Sequence, residues 1–175
     1  MDVFTELLPM QKTRKRPKIG DVFVVQPLPD RYYFGKVLET NIQGTNVMFE
    51  GMVLICLYDH VSEERTLPES LDAYPLRISP TVVNYQGWLK GYFETVGNIP
   101  LSAREKNLDY GFYEREDPVE LIEEEIPKRI TYIDLHGNQL NRVPQYSSST
   151  GLYSYGFVGR VLHGSVEHNP FTNSE

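Results

Sequence analysis

The sequence has one cysteine, Cys56, so it cannot carry a disulfide framework, and a reducing cytoplasm is its expected compartment. It has no run approaching the roughly 20 apolar residues that cross a bilayer. Its opening, MDVFTELLPM, has neither the basic leader nor the apolar core of a signal peptide. No G-x-G-x-x-G and no P-loop occurs. The histidines His60, His136, His163 and His168 have no i,i+4 partner and no cysteine neighbour at metal-ligand spacing. Ser154, in GLYSYG, misses the nucleophile-elbow spacing by one residue. Cys56 lies between Ile55 and Leu57 and reads as an inert buried thiol. His60 beside Asp59 reads as a polar pair at a strand end rather than a base. No catalytic residue, metal site or cofactor is expected.

What is present is strand pattern. Residues 18–60 hold three apolar, β-branched and aromatic runs separated by two turn signals. The first run, Ile19 to Val25, ends in Pro27, Leu28, Pro29 and Asp30, a turn set by proline's fixed φ and by aspartate's bonding back to the backbone. The second, Arg31 to Leu38, alternates and carries Gly35, as a bulge or close backbone approach would. It puts Tyr32 and Phe34 on one face and Tyr33 on the other. Asn41, Gly44 and Asn46 turn the chain into a third strand expected over Val47 to Asp59.

The second half is read as packing on this meander. Leu76 to Val83, interrupted by Pro80, suits an edge strand, and Trp88 to Val96 is apolar enough for another. Residues 2–8 and 69–74 are expected as short helical turns. Ser102 and Glu105 have capping-box spacing, which places one helical turn over residues 103–107. Leu108 to Tyr113 reads as an aromatic strand, and Ile130 to Leu140 as a hairpin turning at His136, Gly137 and Asn138. Residues 144–151 read as a polar loop, and Ser154 to His163 as a capped helix. YYFGKVL (32–38) and YGFVGRVL (155–162) look alike and are taken as coincidence. The expected fold is mainly β (α+β): an antiparallel sheet or partly open barrel with a few short helices. It forms one domain over 1–175, with 18–60 as its core, 76–165 packed on it, and flexible ends at 1–17 and 167–175.

Charge is unevenly placed. The chain carries −7 overall, yet Lys12, Arg14, Lys15, Arg16 and Lys18 cluster before the first strand. From Ile19 onward, 12 basic residues face 22 acidic ones. An acidic body disfavours nucleic acid and favours basic partners, and the leader reads as solvated charge guarding a strand edge. The densest acids lie in Glu114 to Glu125, with seven acids and one Arg. Its pattern leaves helix and edge strand both open, and it lacks EF-hand spacing.

The stretch KIGDVFVVQPLPDRYYFGKVL resembles the start of a bacterial immunity family of polymorphic toxin systems, the one numbered twenty-six. The residues concerned are Lys18, Gly20, Asp21, Phe23, Pro27 and Leu28, then Phe34, Gly35, Val37 and Leu38. GYFETVGNIPL (91–101), DYGFY (109–113), YIDLHGNQL (132–140) and SYG (154–156) follow in the same order. The resemblance implies a non-enzymatic, cytoplasmic protein that binds and neutralises a cognate toxin, and it brings no catalytic or cofactor residues. A basic toxin such as a nuclease suits the acidic body, with Glu123, Glu124, Glu125, Glu63 and Glu64 as expected contact residues. Two other readings stand beside it. One is an SH3-like-barrel endoribonuclease, suggested by the Gly20-Asp21-Val22 opening. The other is a small peptide-binding module using Tyr32 and its neighbours as a cage or stacking platform.

Overall fold

The computed structural model describes residues 6–116 and 129–171. A five-stranded antiparallel sheet is built from β1 (Asp21–Leu28), β2 (Arg31–Glu39), β3 (Val53–Ser62), β4 (Leu76–Val83) and β5 (Glu94–Asn98), in the order β4-β3-β2-β1-β5. A second sheet holds β6 (Tyr110–Glu116), β7 (Arg129–Ile133), β8 (Gln139–Leu140) and β9 (Tyr146–Ser149), in the order β8-β7-β6-β9. β9 runs parallel to β6, so this sheet is mixed. Three short helices complete the described residues: α1 (Gln86–Leu89), α2 (Ala103–Lys106) and α3 (Tyr155–Leu162). The β-rich expectation is met as a pair of open sheets, with no closed barrel. No described helix is long and apolar enough to cross a membrane.

The meander forms as the turn signals direct. β1 and β2 meet at Leu28 opposite Arg31, with Pro29 and Asp30 at the corner and Asp30 at φ +54°. Pro27 falls where the register shifts between Val25 and Leu28. Alternation then sorts the side chains. Val22, Val24, Tyr32, Phe34, Leu38, Leu54, Cys56 and Tyr58 face one apolar cluster, to which Phe112, Leu135 and Tyr146 contribute from the second half. Phe23, Val25, Val37, Val53, Ile55 and Leu57 face the other, closed by Leu7, Trp88, Phe93, Val158 and Val161. The sheet is therefore covered on both faces, and its central strands read as continuous apolar runs. Gly35 is the close approach its pattern implies: a Cβ there would stand 2.3 Å from the Phe23 ring.

Four expectations are corrected. The third strand begins at Val53, not Val47. Residues 46–51 form a turn in which the Asn46 side chain accepts from the Met48 amide and Gly51 takes φ +73°, while Phe49 anchors against Phe112 at 4.8 Å. Trp88 to Val96 is not one strand, because Asn84 accepts the Gln86 amide and starts α1. Trp88 then lodges between Phe23 and Phe93, and only Glu94–Asn98 pairs with β1. Residues 69–74 make a turn but no helix. The polar stretch 144–151 contains β9, whose serines find partners, since the Ser148 and Ser79 hydroxyls meet at 2.9 Å. The helix expected over residues 2–8 lies largely outside the described residues, and residues 6–8 are not helical.

Other expectations hold. β4 is an edge strand, and α2 closes with both halves of its capping box. The 130–140 hairpin turns at residues 134–138, and Ser154 caps α3 through the Phe157 amide. The two look-alike segments fold differently, one as β2 and the other as α3. From Leu7 to Pro17 the chain runs against the sheet: the Leu8 amide donates to the Gln26 carbonyl, and the Met10 amide to Gly91. Gly91 sits at φ +82°, and a Cβ there would come 3.0 Å from the Met10 carbonyl oxygen.

The meander is tied to the chain beyond it by a buried ion pair. Lys36 occupies an inward slot of β2 between Phe34 and Leu38, and its Nζ donates to Glu105 Oε1 at 2.7 Å and to the Pro100 carbonyl at 3.2 Å. Glu105 Oε2 accepts from the Tyr58 hydroxyl at 2.8 Å, and Oε1 also accepts the Ser102 amide. Both charged side chains are buried. Burial alone would raise the Glu105 carboxyl, but hydrogen bonds from Lys36, the Ser102 amide and Tyr58 together hold it below its ordinary value.

Truncating one partner of such a pair leaves a buried charge uncompensated, which costs about 3–5 kcal/mol. Lys36→Met should lower the melting temperature by about 10 °C, whereas Lys36→Met with Glu105→Leu should recover most of the loss; differential scanning calorimetry reads both. Because the folded-state pKa of Glu105 is depressed, its contribution is complete above the ordinary carboxyl value of about 4.3. It disappears as the pH falls through the depressed value. Urea midpoints taken from pH 7 to pH 3 should show this fall in the wild type and a shallower one in Glu105→Gln.

Candidate partner-binding surfaces

The densest set of reactive groups, Cys56, Tyr58, Lys36 and Glu105, is closed to solvent. Burial pushes the Cys56 thiol up to about 12, against a smaller opposing hydrogen bond from Tyr58. Burial also raises the Tyr58 phenol, with Cys56 and Glu105 adding to it. Neither group ionises near neutrality, so the cluster offers no nucleophile. The reading of Cys56 as an inert buried thiol agrees with this geometry.

The histidines are dispersed. His60 stacks on Tyr74 at 4.1 Å, with Phe34 beyond it. His136 Nδ1 lies 2.6 Å from the Gln43 carbonyl oxygen, and His163 Nε2 lies 3.3 Å from that of Glu6. His168 sits edge-on to Tyr153 and Phe157; burial, with Arg77 adding to it, lowers its pKa to about 4. Ser154 is spent on capping α3. Among the described residues no group of His, Cys, Asp and Glu could hold a metal ion. Tyr32 and Phe34 are buried in the core and Tyr33 packs against the opposite cluster, so they form no cage. The two sheets do not close into a barrel, which was the premise of the endoribonuclease reading.

Two surfaces of opposite sign stand out. The first is the end of the β1–β2 hairpin. Leu28, Pro29, Asp30 and Arg31 line a groove of about 750 Å³ with Glu63 and Glu64, which follow β3. Strand pairing builds it, since Tyr32 opposite Ser62 brings the exit of β3 beside the turn. Arg31 pairs with Glu63 at 2.8 Å, while the Asp30 and Glu64 carboxylates have no cation partner among the described residues. Leu28 and Val61 stand exposed at this end, at 54% and 47%. Exposed apolar side chains at an end that also carries three carboxylates suit a protein partner with basic residues beside an apolar contact.

The second surface is the leader. Arg14, Lys15 and Arg16 line a smaller groove with Tyr85, Trp88 and Leu89, and Arg16 lies over the Tyr85 ring at 4.1 Å. Nearby, Lys90 donates to the Tyr155 hydroxyl, and Tyr155 stacks on Tyr92 at 4.4 Å.

Of the expected contact residues, the fold brings Glu63 and Glu64 together at the hairpin end, whereas Glu123, Glu124 and Glu125 lie outside the described residues. Sequence reading missed Asp30, Leu28 and Val61 as companions of Glu63. The signal was present in part, since the turn at 27–30 and the acids at 63–64 bound strands that pair with each other.

Comparison with known proteins gives one family. The model described as Immunity protein 26 matches residues 18–118, which span β1 to the end of β6, including the hairpin end and the Lys36–Glu105 pair. No curated protein and no solved structure matches. With more than half of its length matched, from the first strand of the meander through the capped turn that holds Glu105, the chain belongs to the Immunity protein 26 family.

Proposed function

We propose that this protein neutralises a cognate protein toxin by binding it, without catalysis, through the acidic and apolar end of the β1–β2 hairpin. Membership of an immunity family carries the reading of toxin neutralisation. The hairpin end supports the location, with Asp30, Glu63 and Glu64 flanking exposed Leu28. The burial of Cys56 and the dispersal of the histidines support a role without chemistry of its own. An acidic rim steers a basic partner into the encounter, and the apolar side chains inside it lose water on docking. A basic nuclease is the toxin class that best fits this surface, and the cytoplasm is where such a toxin would be met.

The biological test is a growth assay. A basic protein recovered stoichiometrically with this chain from its native cell should arrest growth when expressed alone and lose that effect when this chain is co-expressed. Arrest that persists at excess of this chain overturns the reading.

The location is tested by association kinetics. Glu63→Lys with Glu64→Lys should slow association with that toxin about tenfold at low salt and flatten its salt dependence. The melting temperature should hardly change, because an exposed pair such as Arg31–Glu63 is worth about 1 kcal/mol at most. The triple reversal Glu123→Lys, Glu124→Lys and Glu125→Lys measures the other acidic candidate in the same way. Unchanged kinetics in the Glu63 and Glu64 variant would move the interface away from the hairpin end.

A further inference from the structure

A sheet edge without a partner is a template for another strand. The two edges of the five-stranded sheet are treated differently. β4 carries Pro80 and is approached by β9: the Ser79 hydroxyl contacts the Ser147 carbonyl oxygen, and Val83 bridges Tyr153. β5 pairs with β1 on one side, and among the described residues no backbone group pairs with its other side. The leader does not fill that place. It bonds to Gln26 of β1 and to the α1 region through Gly91 and Trp88, and among the described residues it makes no backbone hydrogen bond to β5.

Between the two lies a groove of about 840 Å³, lined by Gln11, Thr13 and residues 15–18 on one side and by Asp21 and residues 94–97 on the other. The acids in this groove are already engaged. Asp21 accepts from the Lys18 amide and the Asn98 side chain, and Glu94 pairs with Arg65 at 2.6 Å. Its cations, Lys15, Arg16 and Lys18, have no carboxylate partner among the described residues.

We propose that the outer edge of β5 docks an extended, acidic peptide segment of a partner protein, paired strand to strand along β5 and held by Lys15, Arg16 and Lys18. A five-residue strand offers about 17 Å of edge, enough for two or three outward carboxylates at alternate positions to reach the leader. Nucleic acid fits less well. Arg16 already covers the Tyr85 ring and Trp88 is buried, so neither of these two rings beside the leader is free to stack on a base. The body beyond the leader is also strongly acidic. This site has the opposite sign to the hairpin end and does not depend on the toxin-directed reading.

The test uses the full chain and a fluorescein-labelled octapeptide of alternating Glu with Val or Thr, followed by anisotropy. It should bind, and Lys15→Glu with Lys18→Glu should weaken it at least about tenfold. Both lysine side chains are exposed, so these changes leave the fold intact. N-methylation of alternate peptide amides keeps the charge but removes strand pairing, and should abolish binding. Amide exchange at residues 94–98 should slow when the unmodified peptide is added. The proposal is overturned if the N-methylated peptide binds as well as its parent, or if a Lys-for-Glu peptide binds equally. It is also overturned if an oligothymidine binds more tightly than the peptide, or if β5 becomes protected only through dimerisation of the chain itself. None of these results bears on the growth assay or on the Glu63 and Glu64 variant.

Discussion

The Lys36–Glu105 pair is the interaction on which the arrangement of this protein depends. Apolar contacts could hold α2 against the sheet in several ways, but a buried ammonium and a buried carboxylate have one satisfied geometry. Lys36 lies in the middle of β2, and Glu105 reaches it from a single helical turn whose own start is fixed by Ser102. The pair sets where the chain after β5 crosses the sheet, and so where β6 and the second sheet begin. Tyr58 extends the same constraint to β3. Arg104, next to Glu105, donates to the carbonyl oxygens of Asp72 and Tyr74 and so ties down the loop before β4. A helix too short to be stable alone is thus given a definite place by one buried charge.

Around this frame, charge is sorted rather than mixed. The basic leader lies along the α1 side and beside β5, while Asp30, Glu63 and Glu64 project at the hairpin end. The interior chemistry is silent, since its thiol and phenol are neutral and its carboxylate is fully bonded. What the molecule offers a partner is therefore shape, sign of charge and a strand edge, which is what an immunity protein needs if it acts by occupying a toxin's surface.

Much of this was legible in the sequence, for physical reasons that differ by element. β1, β2 and the hairpin at 130–140 were readable because turn residues with fixed φ bound alternating apolar runs. α2 and α3 were readable from their serine caps. The failures share a cause, in that tertiary contact outweighed local preference. Trp88 has a side chain suited to a strand, yet from the turn of α1 it packs between Phe23 and Phe93. Ser147 and Ser148 look like loop residues until β4 and β6 supply partners. Lys36 was visible in principle: its slot between Phe34 and Leu38 faces inward by simple alternation, so a buried lysine, and a carboxylate to meet it, follows from period two. Its partner was not visible, because 69 residues separate Lys36 from Glu105.

The coverage of the second face of the central sheet has a consequence for synthesis. That face is sealed by Leu7 from one end of the chain and by Val158 and Val161 from the other. A growing polypeptide on the ribosome can pair β1 to β4 long before α3 has been made. Until α3 emerges, Val37, Val53, Ile55 and Leu57 remain partly open to water and to other nascent chains. Closure of this face therefore waits on α3, which acts as the closing plate of a sheet whose strands can pair without it.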